Sequence, residues 1–131
     1  MTPTETVQSL YAAFGRGDVP FILERVTPDC TWTASGPGIP ATGVYIGPAG
    51  VAQFFIRISQ TETVLKFEPR EYFANGSDVV ALGFEEVRVN ATGKTASTNW
   101  AMLFRLRDGK VAQFETFFDT ATYAMAHHLS S

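Results

Sequence analysis

Three turn signals, Asn75-Gly76, Thr92-Gly93 and Asp108-Gly109, divide the second half of this chain into four long segments. Asn-Gly and Asp-Gly are strong short-range hairpin signals, because both residues tolerate the positive φ that tight turns need. The segments between them, roughly 64–74, 78–90, 95–107 and 110–119, are rich in β-branched and aromatic residues. They read as an antiparallel meander of strands. The first half follows a different period. Thr2-Pro3-Thr4-Glu5 is a capping box with Pro at the first helical position, and Val7, Leu10, Tyr11 and Phe14 follow at helical spacing. Gly15 and Gly17 end that helix. Asp18 can cap a short second helix carrying Val19, Ile22, Leu23 and Val26. Residues 29–34 alternate as a short strand, Ser35–Gly47 is a Gly- and Pro-rich loop, and a third helix starts near Gly47-Pro48 with the stripe Val51, Phe54, Phe55, Ile58. Asp119-Thr120 opens a short C-terminal helix, Ala121–His127. Helices first and strands after define the α+β class, a curved antiparallel sheet packed by three N-terminal helices. With 131 residues and no repeat or linker, residues 1–131 read as one domain.

Strand alternation sorts the side chains into two faces. Val79, Ala81, Gly83, Glu85, Val87 and Val89 share one face of their strand. Trp100, Met102, Phe104 and Leu106 share the matching face of the next, and Ala112, Phe114, Thr116 and Phe118 that of the last. This set is apolar and is expected to face the helices. Glu85 is its one carboxylate, and an inward carboxylate is costly unless it is paired, hydrogen-bonded or protonated. The opposite face carries Leu82, Phe84, Ala101, Leu103 and Phe117. A sheet that is apolar on both faces needs a second cover, and a second copy of the chain is the simplest one.

Composition bounds the function. Eleven Phe and 13% aromatic residues point to a ring-built core or a ring-lined cavity. A net charge of −3, without a Lys/Arg run, gives no footprint for nucleic acid. No stretch is long enough to span a bilayer, and the N-terminus lacks the features of a signal peptide. The single cysteine, Cys30, excludes an internal disulfide and fits a reducing compartment, so a cytoplasmic location is expected. No zinc spacing, phosphate loop or Ser/His/Asp order is visible, and neither a metal nor a cofactor is expected.

The helix end Phe14-Gly15-Arg16-Gly17-Asp18, the strand Pro28-Asp29-Cys30-Thr31-Trp32 and the run from Gly43 to Val51 line up with a known family. Arg107-Asp108-Gly109-Lys110-Val111 and Phe117-Phe118-Asp119-Thr120-Ala121 continue the match. In this order and spacing they resemble the SnoaL-like branch of the nuclear transport factor 2-like superfamily. That group includes ketosteroid isomerase, limonene epoxide hydrolase, scytalone dehydratase and polyketide cyclases. The resemblance implies a cone of bent sheet around a deep pocket and, commonly, a homodimer through the sheet. It does not imply one chemistry. The positions of the isomerase base and its two oxyanion donors match Ala34, Leu10 and Met102, and those of the epoxide hydrolase Asp–Arg–Asp set match Val87, Glu85 and Thr116. Neither set of groups is present.

The expected function is therefore the binding of a small hydrophobic ring compound, with cofactor-independent acid–base chemistry of isomerase, cyclase, lyase or hydrolase type open beside a non-catalytic binding or dimerisation role. Glu85 is the candidate proton-transfer group. Its alternative is a structural carboxylate satisfied by Trp100, Thr98, a Tyr or a backbone donor. Trp32, Tyr45, Phe54, Phe55, Trp100, Met102, Phe114, Thr116 and Phe118 are the candidate ligand contacts, each also readable as plain core. Cys30 reads as an inert buried thiol. His127-His128 reads as a solvated helix end, with metal binding or closure of the pocket mouth as the other readings.

Overall fold

A computed structural model describes residues 1–128. Helices α1 (Pro3–Gly15) and α2 (Val19–Leu23) lead into strand β1 (Val26–Ala34). Then come β2 (Gly43–Ile46), α3 (Gly47–Thr61) and the long strands β3 (Glu62–Asn75), β4 (Asp78–Val89), β5 (Thr95–Arg107) and β6 (Lys110–Phe117), with α4 (Thr120–His127) last. The six strands form one open curved sheet in the order β2-β1-β6-β5-β4-β3. All neighbours are antiparallel except β1 and β6, which run parallel. This is the expected α+β architecture.

Local chemistry accounts for the ends of the elements. The Thr2 hydroxyl accepts from the Glu5 N–H while the Glu5 carboxylate accepts from the Thr2 N–H, closing the capping box of α1. Asp108 and Gly109 both take positive φ, 51° and 77°, as the two-residue hairpin between β5 and β6 requires. One side of the sheet meets the helices. Val79, Ala81, Val87 and Val89 are buried there, with Trp100 and Phe104 of β5 beside them. Val79 and Phe104 pack with Val7 and Leu10 of α1, Ile22 of α2 and Val51 of α3, while Val87 and Val89 pack with Ile39 and with Tyr123 and Ala126 of α4.

Three local readings need correction. Val26 begins strand β1 rather than belonging to the second helix, which ends at Leu23. Gly43–Ile46 is a strand, not part of a loop; it pairs with β1 at the sheet edge, with Tyr45 inward and Val44 and Ile46 out. In β6, Val111 is fully buried, although simple alternation sends it outward. A register shift sets Arg105 opposite Gln113 and Leu106 opposite Val111, which leaves Ala112 as an extra residue and flips the faces on either side of it.

Gly83 sits where β4 passes under the Trp100 ring. A Cβ at this position would overlap that ring and lie 2.5 Å from the Glu68 carbonyl oxygen. Gly83→Ala should therefore destabilise the protein by about 1–3 kcal/mol through overpacking. A urea unfolding curve no less stable than wild type would show that the sheet can yield here.

Candidate functional site

The helices do not fill the concave side of the sheet. A cavity of about 130 Å³ remains between α1, α3, α4 and the sheet. Phe54, Phe55 and Ile58 of α3 form one wall, Leu10, Tyr11 and Phe14 of α1 another, and Trp32, Ala34, Met102, Phe104, Phe114, Thr116 and Phe118 the sheet floor. The helical stripes and the strand alternation bring them together. Trp32 stacks on Phe114 with centroids 4.0 Å apart, and Phe54 and Phe55 close against Trp32 at 5.9 Å each. The Tyr11 hydroxyl donates to Met102 Sδ at 3.2 Å, so the helix wall is tied to the floor.

Eight of the residues singled out from the sequence line this cavity: Glu85, Trp32, Phe54, Phe55, Met102, Phe114, Thr116 and Phe118. Two do not. Tyr45 lies behind the cavity, where its hydroxyl donates to the Ala41 carbonyl at 2.8 Å and accepts from Arg57 at 3.1 Å. Trp100 is buried between Gly83, Tyr11 and Phe67, stacking on Phe67 at 5.2 Å. Ala34, Leu10 and Met102 also line the cavity, and none of them can hold a proton for transfer.

The polar end of the cavity is built by β4, the start of β3 and α4. Glu85 comes from β4, where it pairs with Phe67 of β3 and Thr98 of β5. Among the described residues no group hydrogen-bonds to its carboxyl. Thr98 Oγ1 is engaged elsewhere, donating to the Asn99 carbonyl and accepting from the Asp119 N–H, and Trp100 Nε1 has no partner. Burial, with the nearby Glu62 charge as the smaller cause, pushes the Glu85 carboxyl up to about 7. A group with that value exchanges protons readily near neutral pH.

Sequence reasoning missed two members of this end, Glu62 and Tyr123, and read a third, His127, as a solvated helix end. Glu62 caps α3 and begins β3, and its side chain is buried. His127 Nε2–H donates to Glu62 Oε2 at 2.9 Å, with both side chains 6% exposed. The reading of His127 as a solvated helix end is thus corrected. His128 is exposed. Tyr123 lies four residues before His127, on the same face of α4. Its hydroxyl is buried without a hydrogen-bond partner, and burial, followed by the charges of Glu85 and Glu62, raises its pKa. The i, i+4 spacing of Tyr123 and His127 was the available signal, but the shortness of the helix and its place at the chain end obscured it.

Cys30 is buried beneath the floor, and burial pushes its thiol up to about 11, the state of an unreactive group. Among the described residues no group of three or more His, Cys, Asp or Glu side chains is placed to hold a metal ion. Among them too, no helix is long and apolar enough to cross a membrane.

A bent open sheet closed by helices over a ring-lined cavity with an acidic end defines the cone class of small α+β pocket proteins. The chain belongs to the SnoaL-like domain family, whose family model matches residues 7–114. Its structure is similar to a nuclear transport factor 2-like protein from Burkholderia thailandensis, with a TM-score of 0.90 and 27% identity over 98% of this chain and 99% of that one. A second such protein, from Burkholderia xenovorans, is similar at 0.88 and 29% identity, over 96% and 95% of the two chains. TerC, crystallised with polyporic acid, is similar at 0.82 and 28% identity, over 95% and 97%. No curated protein matches the sequence.

Proposed function

We propose that the protein binds a small hydrophobic ring compound in the cavity and that Glu85 acts on it as a general acid or base without a cofactor. The observation that carries this reading is the Glu85 carboxyl itself: inward, without a hydrogen-bond partner among the described residues, and shifted to about 7 at the acidic end of a mostly apolar cavity. A carboxyl kept for structure would be expected to have donors around it. The ring-lined walls supply the affinity, and TerC, a similar structure, was crystallised with polyporic acid. Isomerases, cyclases, lyases and some hydrolases include a proton transfer that such a group can carry out. The second reading, a non-catalytic binder of the same ligand class, draws on Ala34 and Met102 of the floor and Leu10 of the α1 wall, which supply no proton-transfer group at those positions. Native mass spectrometry of the protein from cell extract, followed by a turnover assay of any retained compound with wild type and Glu85→Gln, separates the two. Retention with turnover that Glu85→Gln abolishes supports the enzyme. Retention without turnover supports the binder, and an empty cavity in every extract contradicts both.

The assembly and location belong to the same proposal. Leu82, Phe84, Ala101 and Leu103 are only half-buried on the convex side of the sheet, and Phe117 is 50% exposed. A second copy of the chain is the proposed cover. Leu103→Asp should convert a dimer to monomer or aggregate by light scattering; a wild type already monomeric at tens of micromolar would contradict the assignment. The lone buried thiol of Cys30 fits a cytoplasmic setting.

A further inference from the structure

We infer that the ligand is a single-ring compound bearing an acceptor oxygen, and that this oxygen is received where α4 presents the Tyr123 hydroxyl beside Glu85 and Glu62. The inference rests on the reading of the cavity as a ring-binding site and narrows its ligand class.

Size sets the first limit. The cavity measures about 130 Å³. An apolar protein cavity of roughly 150 Å³ accepts benzene. One six-membered ring fills a space of this order, and compounds of several rings exceed it.

The distribution of polar groups sets the second limit. The floor and the two long walls present rings and aliphatic side chains, and the carboxyls gather at one end. Four buried side-chain polar atoms lack a hydrogen-bond partner among the described residues, and two of them, Trp32 Nε1 and the Tyr123 hydroxyl, belong to residues that line the cavity. Tyr123 is the one grouped with titratable neighbours. It is 2% exposed and lies in the electrostatic field of both Glu85 and Glu62. The second of those carboxyls is already engaged by His127. A buried hydroxyl without a partner is unfavourable, and a ligand that supplies the missing acceptor regains that hydrogen bond on binding. Negative charge nearby disfavours an anionic ligand group at this end and favours a neutral oxygen, a carbonyl or a hydroxyl. An oxygen seated on Tyr123 also brings the ring atoms next to it within the neighbourhood of Glu85, where a proton can be given or taken.

The test uses cyclohex-2-enone, toluene and polyporic acid as probes, with binding followed by ligand-observed NMR or calorimetry on wild type and Tyr123→Phe. Wild type should bind both single-ring probes, and polyporic acid more weakly than cyclohex-2-enone. Tyr123→Phe should weaken cyclohex-2-enone about five- to tenfold, the equivalent of one hydrogen bond, and leave toluene unchanged. Its melting temperature should not fall, since the hydroxyl it removes has no partner, so folding does not confound the comparison. If the variant treats the two single-ring probes alike while both still bind, the oxygen assignment is wrong and the ring-binding reading stands. If polyporic acid binds more tightly than either, the single-ring limit is wrong. If wild type binds none of the three, the ring-binding reading fails and takes this inference with it.

Discussion

Glu85→Gln should make the protein more stable at alkaline pH while removing its proton chemistry. The folded state holds the Glu85 carboxyl at about 7, against an ordinary value of 4.5. The unfolded chain therefore gives up this proton more readily than the folded one. The stability that Glu85 permits is complete below the unfolded value, falls as pH rises between the two values, and levels off above the folded one. A displacement of this size corresponds to a loss on the order of 3 kcal/mol in wild type between about pH 4 and about pH 8. Glutamine has nearly the same shape and does not titrate. The stability gap between variant and wild type should open across that window, by the same order, in urea unfolding curves taken at several pH values. Glu62 and Tyr123, the charged and titratable groups that interact with Glu85, are present in both proteins. A Gln variant that is less stable than wild type at about pH 8 would mark Glu85 as a structural anchor with donors of its own.

His127→Ala should be among the most damaging single changes in the last helix. It leaves the Glu62 carboxylate buried without a partner among the described residues, because His127 Nε2 is its one hydrogen-bond donor there. Breaking one side of a buried pair costs roughly 3–5 kcal/mol. The damage should be local as well as global. His127 and Tyr123 anchor the same face of α4, and Thr92 Oγ1 adds a hydrogen bond to the Ala126 carbonyl at 2.7 Å. Hydrogen exchange should therefore accelerate first in residues 120–127 and at the start of β3. Glu62→Gln, which leaves an amide oxygen able to accept from His127, should lose much less. A His127→Ala variant within about 1 kcal/mol of wild type would show that the pair is worth little to the fold, as exposed pairs are.

The sequence made the architecture legible because its two periods do not overlap. Helical spacing carried Val7–Phe14 and Val51–Ile58, and alternation carried β4 and β5. Tight-turn residues placed the hairpins to within a residue or two. Alternation also placed Glu85, since a carboxylate among Val79, Ala81, Gly83 and Val87 has one direction in which to point.

What the pattern did not show has physical causes. Strand β2 is four residues long and lies in a segment dense in glycine and proline, where turn chemistry outweighs the strand preference of Val44-Tyr45-Ile46. The bulge at Ala112 turns Val111 inward while Phe114 and Thr116 keep the expected face, and it leaves no local sign, because bulges are fixed by pairing across strands. Trp100 and Tyr45 point inward as alternation requires, yet neither reaches the cavity. One is covered by Phe67 and Gly83, and the other is turned toward Ala41 and Arg57. A face can be read from a period; the boundary between core and cavity depends on packing depth. The Glu62–His127 pair spans about half of the chain, and no local pattern couples an α3 cap to the final turn of α4.

The most direct measurement is a carbon-13 NMR titration of the Glu85 side-chain carboxyl, assigned by comparison with Glu85→Gln. A midpoint close to 7 is predicted, well apart from the exposed glutamates of the same protein. A midpoint near the ordinary 4.5 would mean that the carboxyl is solvated or supplied with donors, and the acid–base reading of the cavity would fail.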